Sequence, residues 1–268
     1  MSDSGVTEYI FDTQGSIKSS PVLRDGTLYV GDDSGYLYAV DADSGTEEWR
    51  YSTNGGIRTS PTVCEDTVYI GSADSSLYAL DAETGEKRWS FEAEHRIEGT
   101  PAYADGVVYV GSYDKHLYAI DAETGEERWS RGFGGLIRGS PTVWDGTVYT
   151  GVGCHNLACA WYAEEANVSE TGWVYALDAE TGETEWQYEV GTEVVSSPAI
   201  TDEFVYIGAS DGTLYALAPT TGDVEWTYET RDMIWSSPAV AYGTVFITDW
   251  NGNVHAVDSE TGEQEWLP

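Results

Sequence analysis

The segment YALDAETGEKRW occupies residues 78–89, and it returns 40 residues later as YAIDAETGEERW at residues 118–129. Related segments that end in the same tryptophan lie at residues 39–49, 176–186, 216–226 and 256–266. Each is preceded by a Ser-Pro or Thr-Pro step, and the prolines are Pro21, Pro61, Pro101, Pro141, Pro198 and Pro238. The 268 residues therefore hold six units of about 40 residues, and the fourth unit carries 17 extra.

Each unit is predicted to contain four short strands. In the second unit they are residues 57–63, 67–71, 76–81 and 88–91. Alternating β-branched and aromatic residues, such as Val68-Tyr69-Ile70, suit half-buried strands, and Gly, Asp and Ser punctuate them as turn residues. Four strands in about 40 residues are typical of a β-propeller blade. We therefore predict an all-β single domain of six four-stranded blades, at about 17–51, 57–91, 97–131, 137–188, 194–228 and 234–268.

The units resemble the repeats of the PQQ-like, quinoprotein-type family. The resemblance is carried by the motif Ala-x-Asp-x-x-Thr-Gly-x-x-x-Trp, which the fifth copy alters with Ala218 and Pro219 in place of Asp-Ala. In that family the indole is held against the docking motif of a neighbouring blade. The resemblance thus implies a structural role for Trp49, Trp89, Trp129, Trp186, Trp226 and Trp266. The chain is also similar to the propeller scaffolds of the outer-membrane assembly lipoprotein group.

Residues 9–11 look like an outer strand without a blade of their own. Tyr9 precedes Pro21 by the same distance that separates Trp49 from Pro61. We expect this N-terminal strand to complete the last blade and to close the ring, because closure removes two sheet edges together.

The chain carries 47 acidic and 12 basic residues, which gives a formal charge of -35. Molar salt screens such self-repulsion, so a halophilic source is expected, with an acidic mesophilic protein as the alternative. A polyanion repels phosphate backbones, and nucleic acid is therefore excluded as a partner. Residues 1–7 lack a basic and an apolar region, and no run suits a membrane span. We expect a cytoplasmic monomer, or an extracytoplasmic protein if a signal has been removed.

Three residues before each proline lies what we call the rim position. It is occupied by Lys18, Arg58, Glu98, Arg138, Val195 and Trp235. Three of the 12 basic residues occupy the rim position. Lys18, Arg58 and Arg138 are therefore predicted to attract an anion, with Trp235 as an aromatic contact. The alternative is that these cations only neutralise nearby carboxylates. The opposite face carries the acidic turns, which are predicted to be solvated or, as the minority view, to bind cations.

The 17 extra residues are predicted to form a lid over the rim. They include Cys154, His155, Cys159 and Trp161. A disulfide, two separate thiols and a zinc site all remain open, although a fourth zinc ligand is not apparent.

The quinoprotein dehydrogenases that these repeats resemble use an adjacent cysteine pair, a calcium ion and a catalytic Asp. This chain has only Cys64, Cys154 and Cys159, none of them adjacent. We therefore expect no catalytic residue, no metal and no cofactor, PQQ and calcium being unsupported by site residues. The expected function is a non-catalytic scaffold that binds a protein or peptide. A PQQ-dependent oxidoreductase and a small-anion binder are the alternatives.

Overall fold

A computed structural model describes residues 9–153 and 171–266. The chain divides into two compact units, residues 1–101 and residues 102–268. Throughout the described ranges the secondary structure is β-strand, turn and loop, without a helix, so no helix there could cross a membrane. The predicted all-β class is confirmed.

The first unit contains two antiparallel sheets of four strands. The strands of the first sheet are β1 Val22–Arg24, β2 Thr27–Gly31, β3 Tyr36–Asp41 and β4 Glu47–Ser52. Those of the second sheet are β5 Thr62–Cys64, β6 Thr67–Gly71, β7 Ser76–Asp81 and β8 Lys87–Glu92.

The second unit contains three sheets of four strands and one of three, all antiparallel. The third sheet is β9 Ala102–Ala104, β10 Val107–Gly111, β11 His116–Asp121 and β12 Glu127–Gly132. The fourth is β13 Thr142–Trp144, β14 Thr147–Val152, β15 Trp173–Asp178 and β16 Thr184–Glu189. The fifth is β17 Ala199–Ile200, β18 Val205–Gly208, β19 Thr213–Leu217 and β20 Val224–Glu229. The last is β21 Ala239–Ala241, β22 Thr244–Thr248 and β23 Val254–Asp258.

Six sheets match the predicted number of blades, and within each sheet consecutive strands pair with one another. The first strand of the second 40-residue repeat is shorter than expected. It covers Thr62–Cys64, and the predicted residues 57–61 form a loop. Pro61 has no N–H that could donate to a neighbouring strand. The side chain of Ile57 packs on Gly31 of the first sheet, which holds this part of the chain in the loop.

Five of the repeated tryptophans lie opposite an alanine of the third strand of their sheet, beside a register shift: Trp49, Trp89, Trp129, Trp186 and Trp226. Ala39 pairs with Trp49, after which Val40 pairs with Glu47. The Trp49 indole N–H donates to the carbonyl of Ala82 at 3.0 Å, and a Cβ added at Gly85, whose φ is 71°, would lie 2.6 Å from the indole ring. Only glycine satisfies both the left-handed conformation and the close approach. Three further indole N–H groups donate to a backbone carbonyl in the same way: Trp129 to Ala179, Trp186 to Pro219 and Trp226 to Ser259.

The N-terminal segment repeats these contacts on the first sheet. The Tyr9 hydroxyl donates to the carbonyl of Ala42, as Trp49 donates to Ala82. Phe11 packs on Tyr38 with ring centres 5.3 Å apart, as Tyr51 packs on Tyr78 at 5.6 Å. Residues 9–11 thus pack on the first sheet as the outer strand β4 packs on the second sheet, although they form no strand themselves. Their pairing with the last blade, and closure of the ring, stay predictions.

Candidate functional site

The loop that enters each sheet is held in place just after the rim position. The Ser19 hydroxyl donates to the Gly31 carbonyl at 2.9 Å and accepts the Gly31 N–H at 3.0 Å. Three further sheets repeat this double bond, with the pairs Thr59 and Gly71, Ser196 and Gly208, and Ser236 and Thr248. Because a hydroxyl bridges loop and strand, the preceding residue is presented in a defined direction.

In the first unit the rim position forms an ionic group, here called the first rim cluster: Lys18, Asp33, Arg58 and Glu98. Lys18 Nζ lies 3.1 Å from Asp33, and Arg58 lies 2.7 Å from both Asp33 and Glu98. Hydrogen bonds from Arg58 and then Lys18 lower the pKa of Asp33, and the bond to Asp33 raises the pKa of Arg58. Both shifts favour the charged forms of Asp33 and Arg58.

In the second unit the rim position forms a packed group, the second rim cluster: Tyr113, Arg138, Glu193, Trp235 and Trp250. Arg138 contacts the Tyr113 hydroxyl at 3.1 Å and the Glu193 carboxylate at 2.9 Å. Its guanidinium also lies 5.8 Å from the centre of the Trp235 ring, within range of a cation–π interaction. Burial by itself lowers the pKa of Arg138, but Tyr113 and Glu193 outweigh it and raise that pKa, so the cation is retained.

Trp250 is the accessible member of the second rim cluster. It meets Trp235 edge to face with ring centres 4.5 Å apart, and its exposed fraction is 61%. Its backbone N–H donates to the Met233 carbonyl at 2.9 Å, and the Trp235 indole donates to the Ser210 hydroxyl at 2.9 Å. An exposed aromatic on a fixed backbone loses little freedom on binding, which is why tryptophan is common at protein interfaces.

Sequence reasoning missed a second set of residues in this site, those that the rim residues contact. A rim residue reaches back 25 residues, to the turn between the second and third strands of another sheet: Arg58 to Asp33, Arg138 to Tyr113, and Trp235 to Ser210. Trp250 lies at this same turn position in the last sheet. Aligning the units at this turn as well as at the prolines would have revealed Asp33, Tyr113 and Trp250 together.

The predicted rim residues fall in two groups. Lys18, Arg58 and Glu98 meet in the first unit, and Arg138 meets Trp235 in the second. Each of the three cations pairs with a carboxylate. Such pairing is expected under the alternative in which these cations only neutralise nearby carboxylates. Anion binding by Lys18, Arg58 and Arg138 stays a prediction.

The acidic turns on the other face engage their own backbone. Asp81 accepts from the N–H and hydroxyl of Thr84 and lies 2.8 Å from Arg88, and Asp121 is bound in the same way by Thr124 and Arg128. The arginine bond, with the threonine N–H next, lowers the pKa of each carboxyl to about 2. Residues 9–153 and 171–266 contain no group of three His, Cys, Asp or Glu side chains that could hold a metal ion.

The predicted lid lies outside the described residues, and so do Cys154, His155, Cys159 and Trp161. Cys64 is the free thiol of the described part. The absence of PQQ and calcium stays a prediction, which rests on the lack of an adjacent cysteine pair in the sequence.

Solved structures with similar folds have different functions. BamB from Moraxella catarrhalis is 19% identical with a TM-score of 0.58, the match covering 91% of this chain and 86% of that one. A quinohemoprotein alcohol dehydrogenase from Pseudomonas putida is 20% identical with a TM-score of 0.72. That match covers 93% of this chain but only 52% of the dehydrogenase. The computationally designed protein Ika8 is 17% identical with a TM-score of 0.58, covering 95% and 87%. At such identities the likeness shows the fold alone.

Family membership rests on the sequence. Among curated proteins, none matches the chain significantly. Residues 10–99, 94–153 and 164–267 match the family described as outer membrane protein assembly factor BamB, which is nearly the whole chain. The resemblance to PQQ-like repeats is thereby confirmed, and the chain belongs to the BamB-type family of PQQ-like repeat β-propellers.

Proposed function

We propose that the chain is a non-catalytic scaffold that binds a protein or peptide partner in a high-salt environment, and that the second rim cluster is its docking surface. Family membership supports a scaffold, because the family is described as an assembly factor. The high-salt setting is supported by the charge of -35, since concentrated salt screens repulsion among surface carboxylates.

The observation that carries the proposal is Trp250. It is a large aromatic side chain, mostly exposed, backed by Trp235 and by the cation of Arg138. Interface hot spots are enriched in Trp and Arg, and rigid aromatics bind at low entropic cost. Arg138 is already paired with Glu193, so its role is to support the aromatic pair. The contact with a partner is therefore expected to be apolar, which molar salt does not weaken.

The test compares two exposed tryptophans. The chain is immobilised at molar salt and challenged with lysate from its own source, as wild type, as Trp250→Ala and as Trp144→Ala. Trp144 ends β13 and is 44% exposed, so it controls for the loss of a surface indole. A partner that is retained by wild type and Trp144→Ala but lost from Trp250→Ala supports the proposal. Equal retention by both variants contradicts it.

Titration calorimetry with PQQ and calcium addresses the oxidoreductase alternative. Heat of binding together with dye-linked dehydrogenase activity would replace the scaffold by a quinoprotein enzyme. A carboxylate and phosphate series on wild type and on a Lys18, Arg58, Arg138 triple-alanine variant addresses the small-anion alternative. Binding that disappears in a triple variant that still shows cooperative urea unfolding would favour that alternative.

A further inference from the structure

The two tryptophans of the second rim cluster form a notch. Their ring planes meet at 67° with centres 4.5 Å apart, and Trp235 is half-buried whereas Trp250 is mostly exposed. Two rings held at such an angle enclose a corner with apolar walls. Trp250 is the one large apolar side chain of the cluster that is mostly exposed, so this corner, here called the tryptophan notch, has room for a single small apolar group of a partner.

The indole N–H groups of the two rings differ in their partners. The Trp235 N–H donates to the Ser210 hydroxyl at 2.9 Å. Within residues 9–153 and 171–266, nothing accepts the N–H of Trp250. Indole is a hydrogen-bond donor only. The tryptophan notch therefore offers one donor to a partner, which suits an acceptor such as a peptide carbonyl.

The backbone around Trp250 is already bonded. The Trp250 N–H donates to the Met233 carbonyl at 2.9 Å. The N–H groups of Asp249 and Gly252 donate to carbonyls within the same turn. A partner strand would need a row of unpaired backbone groups, and an amphipathic helix would need apolar pockets for several anchors. The cluster provides neither of them, so its side chains have to recognise the partner.

The ring of Trp235 already interacts with a cation. The Arg138 guanidinium lies 5.8 Å from its centre and is held there by Glu193 at 2.9 Å. A site for an ammonium ligand would use the faces of several aromatic rings. Here a second cation in the notch would meet Arg138 and be repelled by it. The group that enters the tryptophan notch is therefore expected to be neutral.

The surroundings of the notch carry a surplus of negative charge. Two carboxylates lie one residue away from the groups that hold the tryptophans: exposed Asp211 beside Ser210, and half-buried Asp232 beside Met233. Arg231, which is exposed, offsets one of these charges. Together with the net charge of -35, this surplus disfavours an acidic segment and favours a basic residue next to the neutral group.

We propose that the second rim cluster binds a proline-rich segment in the polyproline II conformation, with a proline ring in the tryptophan notch, a carbonyl on the Trp250 indole N–H, and a basic residue near Asp211 and Asp232. A proline ring is small and apolar, and a polyproline II segment leaves its carbonyls free because it has no internal hydrogen bonds. Such a segment is also ordered before it binds. This inference rests on the proposed function, since it names the partner segment of the same docking surface.

The probe is a capped oligoproline that ends in arginine, titrated into the millimolar range at molar salt and followed by saturation-transfer NMR. Trp250→Ala is expected to bind it at least tenfold more weakly than wild type. Trp250→Phe keeps a ring but lacks the N–H, and it is expected to bind about fivefold more weakly. Trp144→Ala, which removes another exposed indole, is expected to keep the wild-type affinity.

Two matched peptides separate the conformation from the charge. A glycine-serine peptide of equal length that ends in arginine is flexible, and it is expected not to bind measurably. An oligoproline that ends in glutamate is expected to match the arginine peptide at ~1 M salt and to bind about fivefold more weakly in dilute buffer. Equal affinity of these two oligoprolines in dilute buffer would contradict the basic residue.

Three results would overturn the proposal as a whole: no binding of oligoproline by wild type, equal binding by Trp250→Ala, or equal binding of the glycine-serine peptide. If Trp250→Ala fails to fold, Trp250→Phe and the glycine-serine peptide decide. Capture from lysate that depends on Trp250, without any oligoproline binding, would refute this inference and leave the proposed function intact. Capture that does not depend on Trp250 would refute the proposed function itself.

Discussion

The two rim clusters start from the same repeat position and differ in what surrounds it. In the first, Lys18 and Arg58 share Asp33, and the side chains are 52%, 33% and 26% exposed. In the second, Arg138 is 22% exposed and pairs with Glu193, which is only 2% exposed. The repeat thus determines where the side chain points, while the neighbours decide whether it becomes a solvated ion network or the support of an aromatic surface.

The sharpest way to separate the clusters is to remove one arginine from each. Arg138→Ala leaves the buried Glu193 without its cation and is expected to lower the free energy of unfolding by about 3–5 kcal/mol. Arg58→Ala breaks more exposed pairs and is expected to cost about 0–1 kcal/mol for each. Urea unfolding of both variants at the same molar salt measures the difference. Equal losses would show that the clusters do not differ in energetic terms.

The second cluster also depends on the turn that carries Trp250. Burial raises the pKa of Asp249, but hydrogen bonds from Asn253 and His255 outweigh it and hold the pKa at about 2. Because this lies below the value in the unfolded chain, the stabilisation, on the order of 2 kcal/mol, is present above pH ~4 and is lost as the pH falls to ~2.

The Asp249→Asn variant isolates that contribution. The wild type is expected to be more stable than Asp249→Asn at pH ~5, with the difference shrinking toward pH ~2. The measurement is the free energy of urea unfolding of both proteins across that range. A stability difference that does not change with pH would show that the Asp249 carboxylate does not stabilise the turn that carries Trp250.

Salt should distinguish the clusters more finely. A double-mutant cycle on Arg58 and Asp33 is expected to give a coupling of about 0.2–1 kcal/mol in dilute buffer that fades by ~1 M salt, where the Debye length is about 3 Å. The coupling of Arg138 and Glu193 should persist, because the pair is shielded from solvent. If both couplings disappear together, the second cluster is as solvated as the first.

The smallest expected effect is the titration of Asp33. Arg58 and Lys18 lower the pKa of this carboxyl, so its stabilisation is present above the ordinary value and is lost as the pH falls through the lowered one. In Arg58→Ala the pKa of Asp33 is expected to rise toward its ordinary range. Carbon-detected NMR of the side-chain carboxyl follows the change, and an unaltered titration would mean that Lys18 alone maintains the shift.

Much of the fold could be predicted because its determinants are local. The turn at residues 81–85 and Trp89 lie within a few residues of each other, and their repetition predicted the strand order and the number of sheets. The rim position was also predictable, since it keeps a constant distance from each proline. The first strand was overestimated because β-branched Ile57 and Thr59 suit a strand, whereas here they anchor the entering loop to the first sheet and to β6.

Sequence alone was sufficient for what is local to one 40-residue repeat: the second and third strands, their order and the turns between them. It could not reveal that Arg138 pairs with the buried Glu193, that Trp250 joins Trp235, or that Val254 is exposed where five equivalent residues are buried. These facts depend on contacts between residues 15 to 55 positions apart and on which side of a sheet is covered. The tertiary structure alone decided them, because burial and pairing are properties of packed neighbours and not of the repeat that supplies the side chains.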